Sequence, residues 1–296
     1  MSLFIDKKAK IALGTVQFGV PYGIANSQGQ VSREGAAAIL GYAQSNGIDT
    51  LDTAIAYGNS EQRLGEIGTQ GWQVVTKLPA IPEGCGDVAE WAVSSVQGSL
   101  HRLNCTSLYG LLLHRSQNLL ECDGARLYDA MQELKQDGLV KKIGVSIYDP
   151  SELDSLCSRY RLDLVQAPFH FMDRRLIHTG WLERLRQQDT ELHARSVFLQ
   201  GLLLMSPDER PRKFERWASL WTKYDAWLKD VGLSPLQACL RYALSFPEIN
   251  KVVIGLDSLA QLKEILQASE GLMPAIPEDV QTNDLDLLNP ARWNQL

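Results

Sequence analysis

Eight short apolar runs of strand length recur along this 296-residue chain, with amphipathic stretches of helix length between them. They occupy 11–16, 48–52, 73–77, 108–114, 142–146, 162–166, 192–197 and 251–256. Strands that alternate with helical patterns are the signature of βα units and a parallel sheet. Eight such units close naturally as an α/β fold, the (β/α)8 TIM barrel. No Gly/Ser-rich linker or compositional break interrupts the alternation, so the expectation is a single barrel domain over 1–296, with extra loops at its C-terminal face.

The intervening stretches carry their own boundaries. Ser32 precedes a run over 36–45 that ends at Asn46-Gly47, a polar cap at one end and a glycine stop at the other. Residues 87–103 place Val88, Trp91, Ala92, Ser95, Val96, Ser99 and Leu100 on one helical face, and 125–135 stops at Asp137-Gly138. Pro150-Ser151-Glu152 and Ser234-Pro235 open two further helices, and Ser258 caps a last one over 259–268. The segment 206–232 is longer than a loop plus helix. Its Trp217, Trp221 and Trp227 read as a helix packed on the core, because aromatic side chains dominate buried area.

Composition narrows the class of function. The net charge is −6, with 29 basic residues and no long block of like charge, which argues against nucleic acid or an acidic membrane as the main partner. A small molecule is the better expectation, handled by a monomer or small homo-oligomer. The five cysteines, Cys85, Cys105, Cys122, Cys157 and Cys239, form no CxxC pair and are odd in number, which fits a reducing compartment. Met1 to Lys10 meets charge too early for a signal peptide, and no uncharged apolar run approaches a membrane span. The expected location is cytoplasmic. The five histidines show no metal-ligand spacing, so no metal site is expected.

Catalytic groups of such barrels sit at the C-terminal ends of strands and in the loops that follow. Asp52 closes the second run and Tyr57 follows it; Lys77 closes the third and His114 the fourth. These are adjacent strands, so the four side chains converge. A tyrosine with an ordinary pKa of about 10 exchanges protons poorly near neutrality, and a neighbouring ammonium lowers that value. Lys77 would supply the charge and Asp52 would hold Lys77 in place. His114 would orient a carbonyl by hydrogen bonding. No side chain here can deliver hydride, so a cofactor is required.

The stretch Gly47-Ile-Asp-Thr-Leu-Asp52-Thr-Ala-Ile-Ala-Tyr57-Gly58, together with Lys77, His114 and Ile143-Gly144-Val145-Ser146, resembles the signatures of the aldo-keto reductase superfamily. The resemblance extends to Leu13-Gly14-Thr15, Leu164-Val165-Gln166 and Val253-Ile254-Gly255 and spans nearly the whole chain. It implies an aldehyde or ketone reductase whose hydride comes from a nicotinamide dinucleotide bound across the barrel mouth without a Rossmann domain. Consistently, no GxGxxG follows any strand. By resemblance, Tyr57 is the general acid/base, tuned by Lys77 and Asp52, and His114 orients the carbonyl. Gly14, Thr15, Asp52, Ser146, Gln166, Arg195, Ser196, Gly255, Ser258 and Gln261 fall at cofactor positions, and Phe18, Tyr22, Arg115 and Phe169 at substrate positions. NADP(H) is the family habit and stands ahead of NAD(H).

Several positions depart from the family pattern. Ile147 stands where an asparagine is common, and Arg195 where an aromatic stacks on nicotinamide; Arg195 either stacks in its place or serves as a salt-bridged barrel arginine. Gly255 and Gln261 replace cations that grip an adenosine 2′-phosphate, and Asp257 adds negative charge, which weakens the preference for NADP(H). The amides that open the Ser258 helix could receive a phosphate, with Lys263 in reach. Arg115 either recognises an anionic substrate with Arg195 or pairs with a loop acid such as Glu121. Two further readings of function stay open: a cofactor-sensing regulatory barrel with little turnover, and a lyase in which Lys77 forms a Schiff base.

Overall fold

The structure, a computed structural model, describes residues 7–26 and 28–296. The reading of the chain start for a leader therefore falls in large part, over residues 1–6, outside the described residues. Eight strands are present: β1 (Ile11–Gly14), β2 (Thr50–Asp52), β3 (Gln73–Leu78), β4 (Leu108–Leu113), β5 (Val140–Ser146), β6 (Leu164–Pro168), β7 (Glu191–Arg195) and β8 (Lys251–Gly255). They close into a barrel in sequence order, each pair parallel and β1 hydrogen-bonded to both β2 and β8. This is the (β/α)8 barrel expected from the eight apolar runs.

Strand ends shift by a residue or two from the sequence reading. The most consequential shift is at β1, where Val16–Gly19 turns into a short helix instead of continuing the strand. The Thr15 amide bonds the Asp52 carbonyl at 2.9 Å at this point, which fastens the β1 exit to the end of β2. His114 lies one residue beyond β4, and its amide continues the ladder onto the Leu78 carbonyl at 2.9 Å.

The outer helices begin where the polar caps stand. Ser32 accepts from the Gly35 amide at the start of Arg33–Ser45, Asp87 accepts from Ala89 and Glu90 at Val88–Leu103, and Ser258 accepts from Gln261 at Leu259–Ala268. Ser234 and Gln237 form a reciprocal capping box on Pro235–Leu244. Each such cap is worth about 1 kcal/mol. Segment 206–232 resolves into two short turns and the helix Ala218–Val231. Trp217, Trp221 and Trp227 are buried with their indole N–H groups on Asp284, Phe214 and Ala275, so the three pack on the core. Among the described residues, no helix is long and apolar enough to cross a membrane.

Successive strand residues face opposite sides of a sheet. Val74, Leu111, Leu113, Val165 and Ala167 pack outward with the helices in one large apolar cluster, while Val75, Leu112 and Leu164 form a separate small cluster inside the barrel. The alternation therefore decides what reaches the mouth. Two residues beyond each member of that inner cluster stand Lys77, His114 and Gln166.

Candidate active site

Inward positions at or near the C-terminal ends of the strands form one ring: Gly14, Asp52, Lys77, His114, Ser146, Gln166, Arg195 and Gly255. All of these except Lys77 line a single cavity of 530 Å³, and Lys77 lies fully enclosed at 0 % exposure. Tyr57 reaches the same cavity from the β2 exit.

The centre of the ring is an ion pair. Lys77 Nζ donates to both carboxylate oxygens of Asp52, at 2.9 and 2.7 Å, and to the Thr53 carbonyl at 2.8 Å. Gln166 Nε2 donates to Asp52 Oδ1 at 2.6 Å, and the Ser146 hydroxyl donates to Gln166 Oε1 at 3.2 Å. Burial works to lower the Lys77 pKa, but the charge and hydrogen bonds of Asp52 outweigh it and Tyr57 adds to them, so the ammonium ends above its ordinary 10.5.

Tyr57 lies beside this pair, with Lys77 Nζ 5.0 Å from its ring centroid and the His114 ring edge-on at 5.7 Å. The sequence reading expected Lys77 to draw the phenol down from 10. In the structure its pKa is raised: burial pushes it up, Lys77 pulls down, and Asp52 pushes up again. The reason is burial first, and then that Lys77 does not act alone, since the Asp52 carboxylate in contact with it opposes its charge. His114 is held down to about 4, first by burial and then by the Lys77 charge, and its imidazole is neutral at neutral pH.

The Tyr57 loop is seated by two glycines. A side-chain carbon on Gly19 would fall 1.7 Å from the Tyr57 carbonyl oxygen, and one on Gly58, whose φ is +56°, would fall 2.6 Å from the Gly19 carbonyl oxygen. Only backbone without side chains allows the β1 and β2 exits to lie this close. Ser60 locks the same corner by bonding Thr15 through its hydroxyl. The sequence reading assigned neither Gly19 nor Ser60 a role of its own, although a glycine ending a turn after a strand is a signal of close backbone approach.

Of the residues read as cofactor positions, Gly14, Thr15, Asp52, Ser146, Gln166, Arg195, Ser196, Gly255 and Gln261 line the cavity, and Ser258 does not. Ser258 instead caps its helix, accepting from the Gln261 amide at 3.2 Å, while Gln261 Oε1 accepts from the Asp257 amide at 2.7 Å. Of the amides that open this helix, that of Gln261 thus already has an acceptor. Lys263 places its ammonium over the Tyr42 ring, 5.4 Å from the centroid, and is not in the cavity wall. Arg195 forms no ion pair among the described residues. Its guanidinium lies over Tyr148, 4.5 Å from the ring centroid, and donates to Ile147 O and Ser196 Oγ.

Of the four residues read as substrate positions, Tyr22 alone lines the cavity. Its hydroxyl accepts from Gln200 Nε2 at 3.0 Å. Phe18 is buried in the core within the Val16–Gly19 turn, which is a helical turn and not an open aromatic loop. Phe169 continues the outward parity of Val165 and Ala167 and stacks on Tyr242 at 5.3 Å. Arg115 pairs with Glu121 at 2.8 Å and stays out of the cavity wall, because the inward position of this strand end is already held by His114. The wall also contains Gln17, Asn26, Tyr148, Gln200, Leu204 and Glu264, which come from loops and from a helix flank whose direction no strand period specifies.

Known proteins are similar to this chain in sequence and fold. An uncharacterized oxidoreductase of Bacillus subtilis, YqkF, is 24% identical over 265 residues, covering 79% of this chain and 82% of its own. L-galactose dehydrogenase of Arabidopsis thaliana is 25% identical over 253 residues, covering 81% of this chain and 79% of its own. The fold matches the holo form of aldo-keto reductase AKR11C1 from Bacillus halodurans with a TM-score of 0.71 at 20% identity, over 92% of this chain and 89% of that one. The family model described as "Aldo/keto reductase family" matches residues 10–281. Barrel, mouth ring and nearly full-length family match converge: this chain belongs to the aldo/keto reductase family.

Proposed function

We propose that this protein reduces an aldehyde or ketone to an alcohol, and catalyses the reverse, with a nicotinamide dinucleotide held in the 530 Å³ cavity. The observation that carries the reading is the placement of the Tyr57 hydroxyl and a neutral His114 at one end of that cavity, over a buried Lys77–Asp52 pair. The cavity suits a long polar ligand. Its wall holds Gln17 Oε1, a buried acceptor without a partner, and the side-chain-free positions Gly14 and Gly255, where an added carbon would crowd Val253 or Gln17.

The bound dinucleotide supplies or accepts the hydride. The protein's own groups handle position and proton. Ser146 and Gln166 would hold the nicotinamide carboxamide, since one Gln166 N–H and the lone pairs of Ser146 remain beyond their mutual bond. Their anchorage to Asp52 fixes the ring relative to Tyr57. Arg195, already placed over the Tyr148 ring, would cover the nicotinamide. His114, neutral, donates one N–H to the carbonyl oxygen and so sets its angle. Tyr57 then delivers its proton to the same oxygen as negative charge develops there, and the Lys77 ammonium stabilises the phenolate left behind. In the oxidative direction the proton returns to Tyr57.

A lyase using Lys77 as a Schiff-base nucleophile requires a free amine. Lys77 is instead enclosed, triply hydrogen-bonded and held protonated, which weighs against that reading. Tyr22, Tyr148, Gln200 and Arg195 at the cavity lip favour a polar, hydroxylated carbonyl compound, in keeping with the sugar named for the Arabidopsis relative. Replacing Tyr57→Phe tests the assignment. Turnover should fall by about 10²–10⁴-fold while dinucleotide affinity stays within twofold. Retention of most of the reductase rate would remove Tyr57 from the role of acid.

A further inference from the structure

We propose that the adenosine-binding stretch of the cavity wall selects NAD(H) against NADP(H), with Asp257 as the discriminating residue. This rests on the reading that the cavity takes a nicotinamide dinucleotide. Hydride transfer requires the nicotinamide beside Tyr57 and His114, where the carbonyl oxygen meets its proton donor. The adenosine half must then lie away from that pair, and we assign it to the stretch of wall formed by Asp257, Gln261 and Glu264, which line the same cavity from the β8 exit and the helix that follows.

Charge is the first observation at that stretch. Two carboxylates, Asp257 and Glu264, stand in the wall there; among the described residues Arg195 is the one cationic side chain lining the cavity. Arg195 belongs with Tyr57 and His114, on which its charge acts. A ribose 2′-hydroxyl can donate to a carboxylate, whereas a 2′-phosphate meets like charge with no cation to offset it.

Hydrogen bonding is the second. A helix N-terminus receives phosphate through unpaired amides. Here the Gln261 amide is taken by Ser258 Oγ at 3.2 Å and the Asp257 amide by Gln261 Oε1 at 2.7 Å. The nearby cation, Lys263, is engaged with Tyr42 outside the cavity wall. Asp257 itself is anchored: Asn26 Nδ2 donates to its Oδ1 at 3.0 Å and to the Gly29 carbonyl at 3.0 Å, so the carboxylate is tied to the β1 loop. Burial raises its carboxyl pKa above the ordinary value.

The expectation from the family resemblance, NADP(H) ahead of NAD(H), is therefore reversed for this chain. Titrating the purified protein with NADH and with NADPH, read by quenching of tryptophan fluorescence, tests it without any substrate. NADH should bind at least about 10-fold more tightly, a difference of about 1.4 kcal/mol. Asp257→Asn keeps size and shape and removes the charge; it should shrink the ratio of the two dissociation constants several-fold, chiefly by improving NADPH. Glu264→Gln, on an exposed helix face, should act in the same direction and more weakly. NADPH binding as tightly as NADH to the native chain overturns the proposal, and so does a ratio unmoved by both substitutions. Binding of neither dinucleotide overturns the underlying dinucleotide reading.

Discussion

Lys77 is a charged amine with no exposure, and Asp52 is what keeps it charged. Breaking a buried pair costs more than the pair contributes, because the survivor is left uncompensated. Lys77→Met strands Asp52 and should lower unfolding free energy by about 3–5 kcal/mol. The double variant Asp52→Asn/Lys77→Met should recover at least a third of that loss in urea melts. A cost under about 1 kcal/mol for the single variant would mean that water or rearrangement satisfies Asp52. These residues were readable from the sequence because each ends a strand, and a two-residue period sends the last inward position to the mouth. Phe18 and Phe169 fall outside the cavity for the converse reason, and Arg115 takes the second of its two expected roles, pairing with Glu121. One residue beyond a strand's inward position faces the helices, as Phe169 does, and once the chain enters a turn the period no longer applies, as at Phe18.

Between residue and barrel lies the junction of two loops, the β1 and β2 exits. The Tyr57 carbonyl rests against Gly19 so closely that a single methyl cannot fit. Gly19→Ala should therefore push the Tyr57 loop outward while leaving the strands in place. A displacement on the order of 1 Å from productive geometry can cost about 100-fold in rate. The expected result is a drop of that order in kcat/KM with far-ultraviolet circular dichroism unchanged. Gly58→Ala, which strains a positive φ as well, should lose at least as much. An Ala variant with native kcat/KM would show that the junction yields freely. The number and order of strands were legible because apolar runs and caps repeat eight times. The packing of one loop on another was not, since it depends on which backbones touch.

At the scale of the whole molecule, acid sensitivity follows from histidines enclosed in neutral form. His170 is fully buried with neither ring nitrogen bonded, and burial lowers its pKa from 6.5 to about 4; the half-buried His114 is lowered to about 4 as well, by burial and then by the Lys77 charge. The unfolded chain binds these protons near pH 6.5 while the folded chain resists until about pH 4, so stability is full above 6.5 and declines as pH falls through this window. His170 accounts for a loss on the order of 2–3 kcal/mol between pH 7 and pH 4.5. Urea unfolding at the two pH values should show that loss reduced by this amount in His170→Leu, with stability at pH 7 unchanged or higher; an equal acid loss in both proteins would clear His170. The ring at the mouth has a consequence for laboratory evolution. Each of its eight members projects inward from its own strand, and the side chains gripping the helices sit on the other parity. A combinatorial library confined to His114, Ser146, Gln166 and Arg195, leaving the Asp52–Lys77 pair and the crowded Gly14 and Gly255 untouched, would vary reactivity while keeping the sheet–helix contacts intact, so most clones should fold and the screen would sample chemistry instead of discarding misfolded protein.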